Sequence, residues 1–331
     1  NATFAGTVAG TSFNGIPFYS GDTGSIYTHN VSATDNSAFY NTAYGLTAMD
    51  AITTGDENTA IGYAAGGQIT SGGKNIAIGV SAIANLTNGN NNVAIGYSSM
   101  GSANSGESKN VAVGHLTLNA MDSGTDNFNT AVGYEAGRAI TTGIRNTLIG
   151  AAAGDALTTG SENTTLGFLS GSKITIGGKN VAIGGEALAE NLLGSRNVAV
   201  GQEALKVFAP AGGDNTYNTA VGYAAGGAIT TGVNNTLIGS LAGDALTTGT
   251  RNVAIGLNAL GTEDTGSHNV AIGHQALAVA DAGADAYNVA IGSSAGADVT
   301  TGVQNTIVGG LAGDSLTTGG SNVAFGYNSL S

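Results

Sequence analysis

The side chains able to do chemistry are few and scattered. Four histidines, His29, His115, His268 and His274, stand in unrelated contexts, and cysteine is absent. His115 and His274 share one position of a repeat, but they are nine repeats apart, roughly 45 Å at ordinary strand spacing, so they form no single site. Glu186 and Glu203 lie one repeat apart and have the residue type that two-carboxylate glycan cleavage needs. Asp155, Asp244 and Asp314 recur only as members of copied blocks. Gly66-Gly67-Gln68-Ile69-Thr70-Ser71-Gly72-Gly73-Lys74-Asn75 has the glycines and lysine of a phosphate loop. It lacks that loop's spacing and the Ser/Thr after Lys, and its near copy at 171–180 marks it as a repeat variant. The calcium-binding nonapeptide pattern is missing too. The expectation is therefore no catalysis, no cofactor and no metal. Aromatics are the better candidates for recognition, since a ring offers sugars an apolar body with a polar tip. Tyr63, Tyr97, Tyr134, Tyr223 and Tyr327 share one repeat position, with Phe168, and a second group, Phe208 and Tyr217, borders the largest insertion. The alternative for the shared tyrosines is packing at a corner or between subunits.

What positions all of these is a repeat. Seventeen times the chain writes Asn, a β-branched residue, usually Ala, a large apolar residue and Gly, mostly 17 residues apart, with Asn at 41, 58, 75, 92, 110, 129, 146, 163, 180, 197, 218, 235, 252, 269, 288, 305 and 322. A fixed short period marks a solenoid. The fold expected is an all-β parallel β-solenoid or β-roll of about 17 turns over residues 41–331, with residues 1–40 as a cap, collar or shaft junction covering the open edge of the stack. That first segment holds Phe4, Phe13, Phe18, Tyr19, Tyr27, Phe39 and Tyr40.

Composition narrows the function classes. Gly is 56 of 331 residues, Pro only 2, and charged residues are 9%, against about 25% in an ordinary soluble domain. A net charge of −13 with 9 basic residues and no basic run disfavours nucleic acid and anionic membranes. No apolar stretch is long enough to span a bilayer, and the chain starts without Met or a signal peptide, as a mature or excised piece would.

With each Asn as position i, strand alternation puts i+1 and i+3 on one face and i+2 and i+4 on the other. Position i+3 is Ile, Val or Leu in fifteen repeats and reads as the core row, while Ala at i+2 in thirteen repeats and Gly at i+4 in all seventeen make a flat opposite face. A second strand is expected around i+7, which is always Ala, Ser or Thr. The second apolar plug is either a large residue at i+8, as in Leu188, or, where i+8 is Gly, a residue at i+11, as in Leu157. Gly at i+14 in fifteen of sixteen completed repeats suggests a positive φ that returns the chain to the next Asn. The Asn column either forms an amide ladder, as in cross-β stacks, or merely favours the turn. Because such a core is thin, packing of the Ala/Gly faces of several copies around an axis is expected, with a homotrimer preferred over a monomer.

Runs such as Asn129-Thr130-Ala131-Val132-Gly133-Tyr134-Glu135-Ala136, with a Thr-Thr-Gly turn before the next Asn, resemble the repeats of bacteriophage tail fibres that carry a C-terminal intramolecular chaperone of the endosialidase type. They are also similar to the heads of trimeric autotransporter adhesins, where the period is usually shorter. The resemblance covers about residues 41–331; the chaperone domain is not in this sequence. It implies a homotrimeric virion fibre or spike, extracellular, acting as a rigid spacer and host-attachment element. The implied partners are other copies of itself, a host-surface glycan or protein, and an upstream fibre or baseplate protein. In that family the chaperone releases itself by cleavage, so Ser331, ten residues into the last repeat, is read either as a processing point or as an arbitrary chain boundary. Two other readings are a bacterial cell-surface adhesin head or extracellular filament, and an ice-binding solenoid suggested by Thr141-Thr142, Thr158-Thr159, Thr230-Thr231 and Thr247-Thr248.

Overall fold

The computed structural model describes residues 12, 13, 16, 17, 19, 20, 26, 27, 37–212, 215–283 and 285–331. The chain forms two compact units, 1–149 and 150–331. Each is a parallel β-solenoid, with seven of the Asn-led turns beginning in the first and ten in the second. Helix is absent among the described residues.

Every turn contributes one three-residue strand at i+1 to i+3, from β5 (Thr42–Tyr44) to β11 (Thr147–Ile149) in the first unit and from β12 (Thr164–Leu166) to β21 (Val323–Phe325) in the second. Within a unit each strand pairs in parallel with the next, in a register that places like repeat positions side by side, as in Ala60↔Ala77 or Ala254↔Ala271. Of the first forty residues, β1 (Ser12–Phe13) pairs antiparallel with β2 (Ile16–Pro17), and β3 (Tyr19–Ser20) with β4 (Ile26–Tyr27). β4 then stacks in parallel on β5, with Tyr27 buried opposite Ala43. Phe4 and Phe18 lie outside the described residues.

The strand faces are the reverse of those expected. Alanine at i+2 is the buried row, as in Ala60, Ala94, Ala199 and Ala254, whereas the i+3 residues are half-buried or exposed, Ile238 at 39% and Leu166 at 46%. The cause is lumen size. The interior of a 17-residue turn already holds a side chain at i+7, small in every repeat, and the i+11 side chain, so an Ala fits at i+2 where an Ile at every turn would overpack. No strand forms around i+7; that residue is buried in a turn segment.

The i+11 row is buried in both repeat versions, not only where i+8 is Gly: Ile52, Leu86, Met121 and Phe208 lie inside alongside Ile140, Leu157 and Leu246. What varies is how the remaining volume is shared. Where i+2 is Leu148, Leu237 or Ile307, the same turn and the preceding one carry Gly at i+8. A Cβ added to Gly226 or Gly243 would stand 2.6 Å from Leu237 Cδ1 or 2.9 Å from its Cδ2.

The backbone closes each turn through repeated left-handed residues. Gly at i+4 has φ near +135°, as in Gly239 at 137°, and a Cβ there would meet the carbonyl oxygen of Gly256 in the next turn at 2.4 Å. Non-glycine residues take positive φ at i+6, i+16 and often i+8, among them Leu241 (55°), Arg251 (57°) and Leu260 (54°). Glycine at i+14 has another role than the positive φ expected of it. Gly55, Gly72, Gly232 and Gly302 keep ordinary φ, and a Cβ on Gly232 would meet the Gly249 carbonyl oxygen at 2.3 Å. Close approach between turns, not handedness, selects glycine there; only Gly124 and Gly283, in longer repeats, turn left-handed.

The asparagines form the amide ladder. Sixteen of the seventeen are buried. Asn235 donates from its backbone N–H to Asn218 Oδ1 at 3.0 Å and from Nδ2 to the same oxygen at 3.2 Å and to the Gly249 carbonyl at 2.9 Å. Its own Oδ1 accepts the Asn252 N–H at 2.9 Å. The side chain therefore ties the start of a turn both to its own end and to the turn before.

Candidate functional site

Three surface columns arise because each repeat position recurs at the stacking distance, about 4.8 Å. The first is the outward strand face. Its i+3 row in the second unit runs Leu166, Ile183, Val200, Val221, Ile238, Ile255, Ile272, Ile291, Val308 and Phe325, bordered by half-buried or exposed Val and Thr at i+1. The first unit carries the same row from Tyr44 to Ile149. A contiguous apolar strip of this kind is what protein–protein contact surfaces look like.

The second column, at i+5, holds the tyrosines. Tyr63, Tyr97, Tyr134 and Tyr223 are each about half exposed. Position i+4 Gly turns the chain so that i+5 projects outward, and stacking then places like residues over each other. His115 lies between Tyr97 and Tyr134, with ring centroids 5.2 and 5.1 Å apart and planes within 15° and 7°. Their faces are thus turned along the column and used on one another, so this trio presents ring edges to solvent. A sugar stacking on ring faces finds none between these three, a point the sequence position alone does not show. A hydrogen bond to Glu135 raises the Tyr134 phenol above its ordinary value of 10.0.

The third column is the residue immediately before each Asn, i+16 in a 17-residue repeat, and is left-handed throughout. Here Lys109 Nζ lies 4.9 Å from the Phe128 ring centroid, the Arg196 guanidinium 5.7 Å from Tyr217, and His268 stacks on Tyr287 at 4.7 Å. Tyr217 is exposed at 47%, but Phe208, expected with it on a surface loop, is fully buried as an i+11 core residue. Phe208 is therefore not a surface residue, because the insertion begins only after it; residues 213 and 214 lie outside the described residues.

The possible acid–base pairs dissolve into ion pairs. Glu186 and Glu203 both engage Lys206, at 2.7 and 3.4 Å, and the hydrogen bond to Glu186 is the largest cause raising the Lys206 amine above its ordinary 10.5. The two carboxylates thus share one ammonium as a surface ion-pair cluster. His115 and Tyr134 stack; His268 Nδ1 sits 3.4 Å from Asp285. The threonines at i+12 spend their hydroxyls along the stack, Thr53 on the Thr70 carbonyl at 2.9 Å and Thr230 on that of Thr247 at 3.2 Å, which leaves no regular outward hydroxyl array at that position.

Two buried polar residues escaped sequence reasoning because they occupy the apolar i+11 row. Asn191 accepts the Gly194 N–H at 2.8 Å, and Glu263 accepts those of Gly266 at 2.8 Å and Ala282 at 3.3 Å. Burial is the main cause that raises the Glu263 carboxyl above its ordinary 4.5. Its carboxylate lies close to Asp264 and Asp281, but both its oxygens are already taken by backbone N–H groups. No helix among the described residues is long and apolar enough to cross a membrane. Compared with known proteins, the chain matches no family model, no curated protein and no solved structure.

Proposed function

We propose that the chain is the repetitive body of a surface-exposed fibre or spike, of the bacteriophage tail-fibre kind that its repeats resemble, acting as a stiff spacer and host-attachment element and assembled as a homotrimer. The observation that carries this reading is the outward i+3 row. Isolated soluble chains rarely leave a continuous strip of Ile and Val exposed, and burying such strips against copies of themselves recovers about 25 cal/mol for each Å² removed from water. A repetitive strip also favours identical partners, since like positions meet at every turn.

Attachment follows from the surface, not from a reactive centre. The polar side chains are arranged as ladders, ion pairs and stacked rings, which suits non-covalent recognition of a host glycan or protein. The reading is therefore non-enzymatic, extracellular and virion-associated. Sedimentation equilibrium of the purified chain tests the assembly: three copies are expected at micromolar concentration, and a species that stays monomeric there removes the trimeric fibre. Adsorption of the labelled protein to susceptible host cells, and not to receptor-deficient derivatives, is expected of an attachment element; equal adsorption to both contradicts it.

A further inference from the structure

The Gly-Gly-Lys-Asn segments, which the repeat pattern treats as mere variants, coincide with surface grooves in both units. In the first unit a groove of about 500 Å³ is lined by Asp56, Glu57, Ser71, Gly73, Lys74 and Asn90, among others. In the second, a groove of about 320 Å³ lies at the corresponding corner beside Ser161, Glu162, Gly178, Lys179 and Arg196. In the first unit the cause is local. Two residues before an Asn, a side chain in several turns reaches back to cap a backbone N–H of the preceding turn: Asp56 Oδ1 accepts from Phe39 at 2.7 Å, Asn90 Oδ1 from Gly73 at 2.8 Å, and Ser108 Oγ from Asn90 at 2.9 Å. Gly73 has no side chain to offer; a Cβ there would lie 3.0 Å from the Asp56 carbonyl oxygen and 3.5 Å from its nitrogen. No side chain caps the Asp56 N–H, and a notch opens beside it.

We propose that this notch in the first unit is a binding site for an uncharged glycan segment. Its walls mix group types in the way a pyranose does. Asp56 and Glu57 accept, Lys74 donates, and the Asn90 and Asn91 amides and the Ser71 hydroxyl do both. Sugar hydroxyls likewise donate and accept, and one of them takes the position of the absent i+15 acceptor against the Asp56 N–H. The volume falls within the range of small-molecule sites. The charge balance selects against anions, because Asp56, Glu57 and Asp126 line the groove against only Lys74 and Lys109, and Lys109 is held by Asp126 at 2.6 Å. The groove runs across successive turns about 4.8 Å apart, so a linear saccharide lying along it meets residues of the same two repeat positions at each rung, with differing side chains. This deepens the attachment reading and rests on it for its biological sense, but the binding itself is independent of assembly state.

Saturation-transfer NMR and calorimetry on the full chain test it, using maltotetraose, cellotetraose and the tetramer of N-acetylglucosamine, with sialyllactose and inorganic phosphate as charged comparisons. At least one neutral probe should bind. Gly73→Asn places at this rung the residue the next turn carries at Asn90, and should abolish that binding while the β-sheet circular dichroism is retained. Lys74→Asn, the residue at Asn91, leaves the notch open and should weaken binding about tenfold, as loss of one charged hydrogen bond does. Binding of none of the neutral probes, binding of the charged ones alone, or neutral binding unchanged in both variants overturns the site. A monomeric chain that still binds through the notch would overturn the trimer and leave the site standing.

Discussion

The asparagine side chain is the smallest unit that explains the repeat. It supplies two donors and an acceptor at a point where the start and end of a turn meet the turn before, and all are used at Asn235. Replacing Asn235 by Ala strands the buried N–H of Asn252 and the Gly249 carbonyl; each such orphan costs about 1–3 kcal/mol, so chemical denaturation should show a loss of about 3 kcal/mol. Asn235→Asp keeps the acceptor but buries a charge beside carbonyl oxygens, and should be worse at neutral pH than in acid. Glu263 gives the second residue-scale prediction. Its folded-state carboxyl is raised above the ordinary 4.5, so its contribution is whole below that value and is lost as pH rises through the raised one. Thermal melts of wild type and Glu263→Gln should therefore coincide near pH 4 and diverge toward about pH 8 in favour of the variant; parallel curves would show that the carboxyl is not penalised by burial. The Asn column was plain in the sequence. Glu263 and Asn191 were not, because nothing in their own residue type reveals that i+11 faces inward even when i+8 already fills the core.

At the scale of one turn, the architecture is a volume rule. Leu237 is accommodated because Gly226 and Gly243 leave room for it, whereas the turn that starts at Asn252 pairs Ala254 with Leu260. Leu237→Ala should cost about 2–5 kcal/mol as a cavity forms, and adding Gly243→Leu should restore a good part of it, as Leu260 at φ 54° shows that the position accepts a leucine. A double-mutant cycle with no favourable coupling would mean that the two sites do not share a lumen. Gly239→Ala is the unforgiving change, with φ at 137° and a Cβ only 2.4 Å from the Gly256 oxygen; a loss of about 3 kcal/mol or more is expected, read by urea denaturation. The period, the strand and the position of Gly at i+4 could be read from residues 41 onward. The direction of the strand could not. Alternation separates i+1 and i+3 from i+2 and i+4 but carries no sign, and the ordinary assumption that the larger apolar residue points inward fails where the lumen is as narrow as this one. Gly at i+14 misled in the same way, since contact with the neighbouring turn and a left-handed φ both demand glycine.

At the scale of the whole molecule, the Ile and Val row expected in the core faces outward along each unit, which is the surface the proposed assembly would use. The expected trimer then needs a different face from the Ala/Gly one, which is used up inside each unit. The shared tyrosines at i+5 were legible as a column, but their mutual stacking was not, because that depends on rung spacing and ring orientation. The two faces can be told apart by charge. Lysine introduced at Ile238 and Ile272 together should leave the β-sheet circular dichroism in place and the monomer folded, while sedimentation shows the assembly gone. An unfolded double variant would place those side chains in the core, and an assembly of unchanged mass would show that the outward row joins nothing; either result contradicts the account.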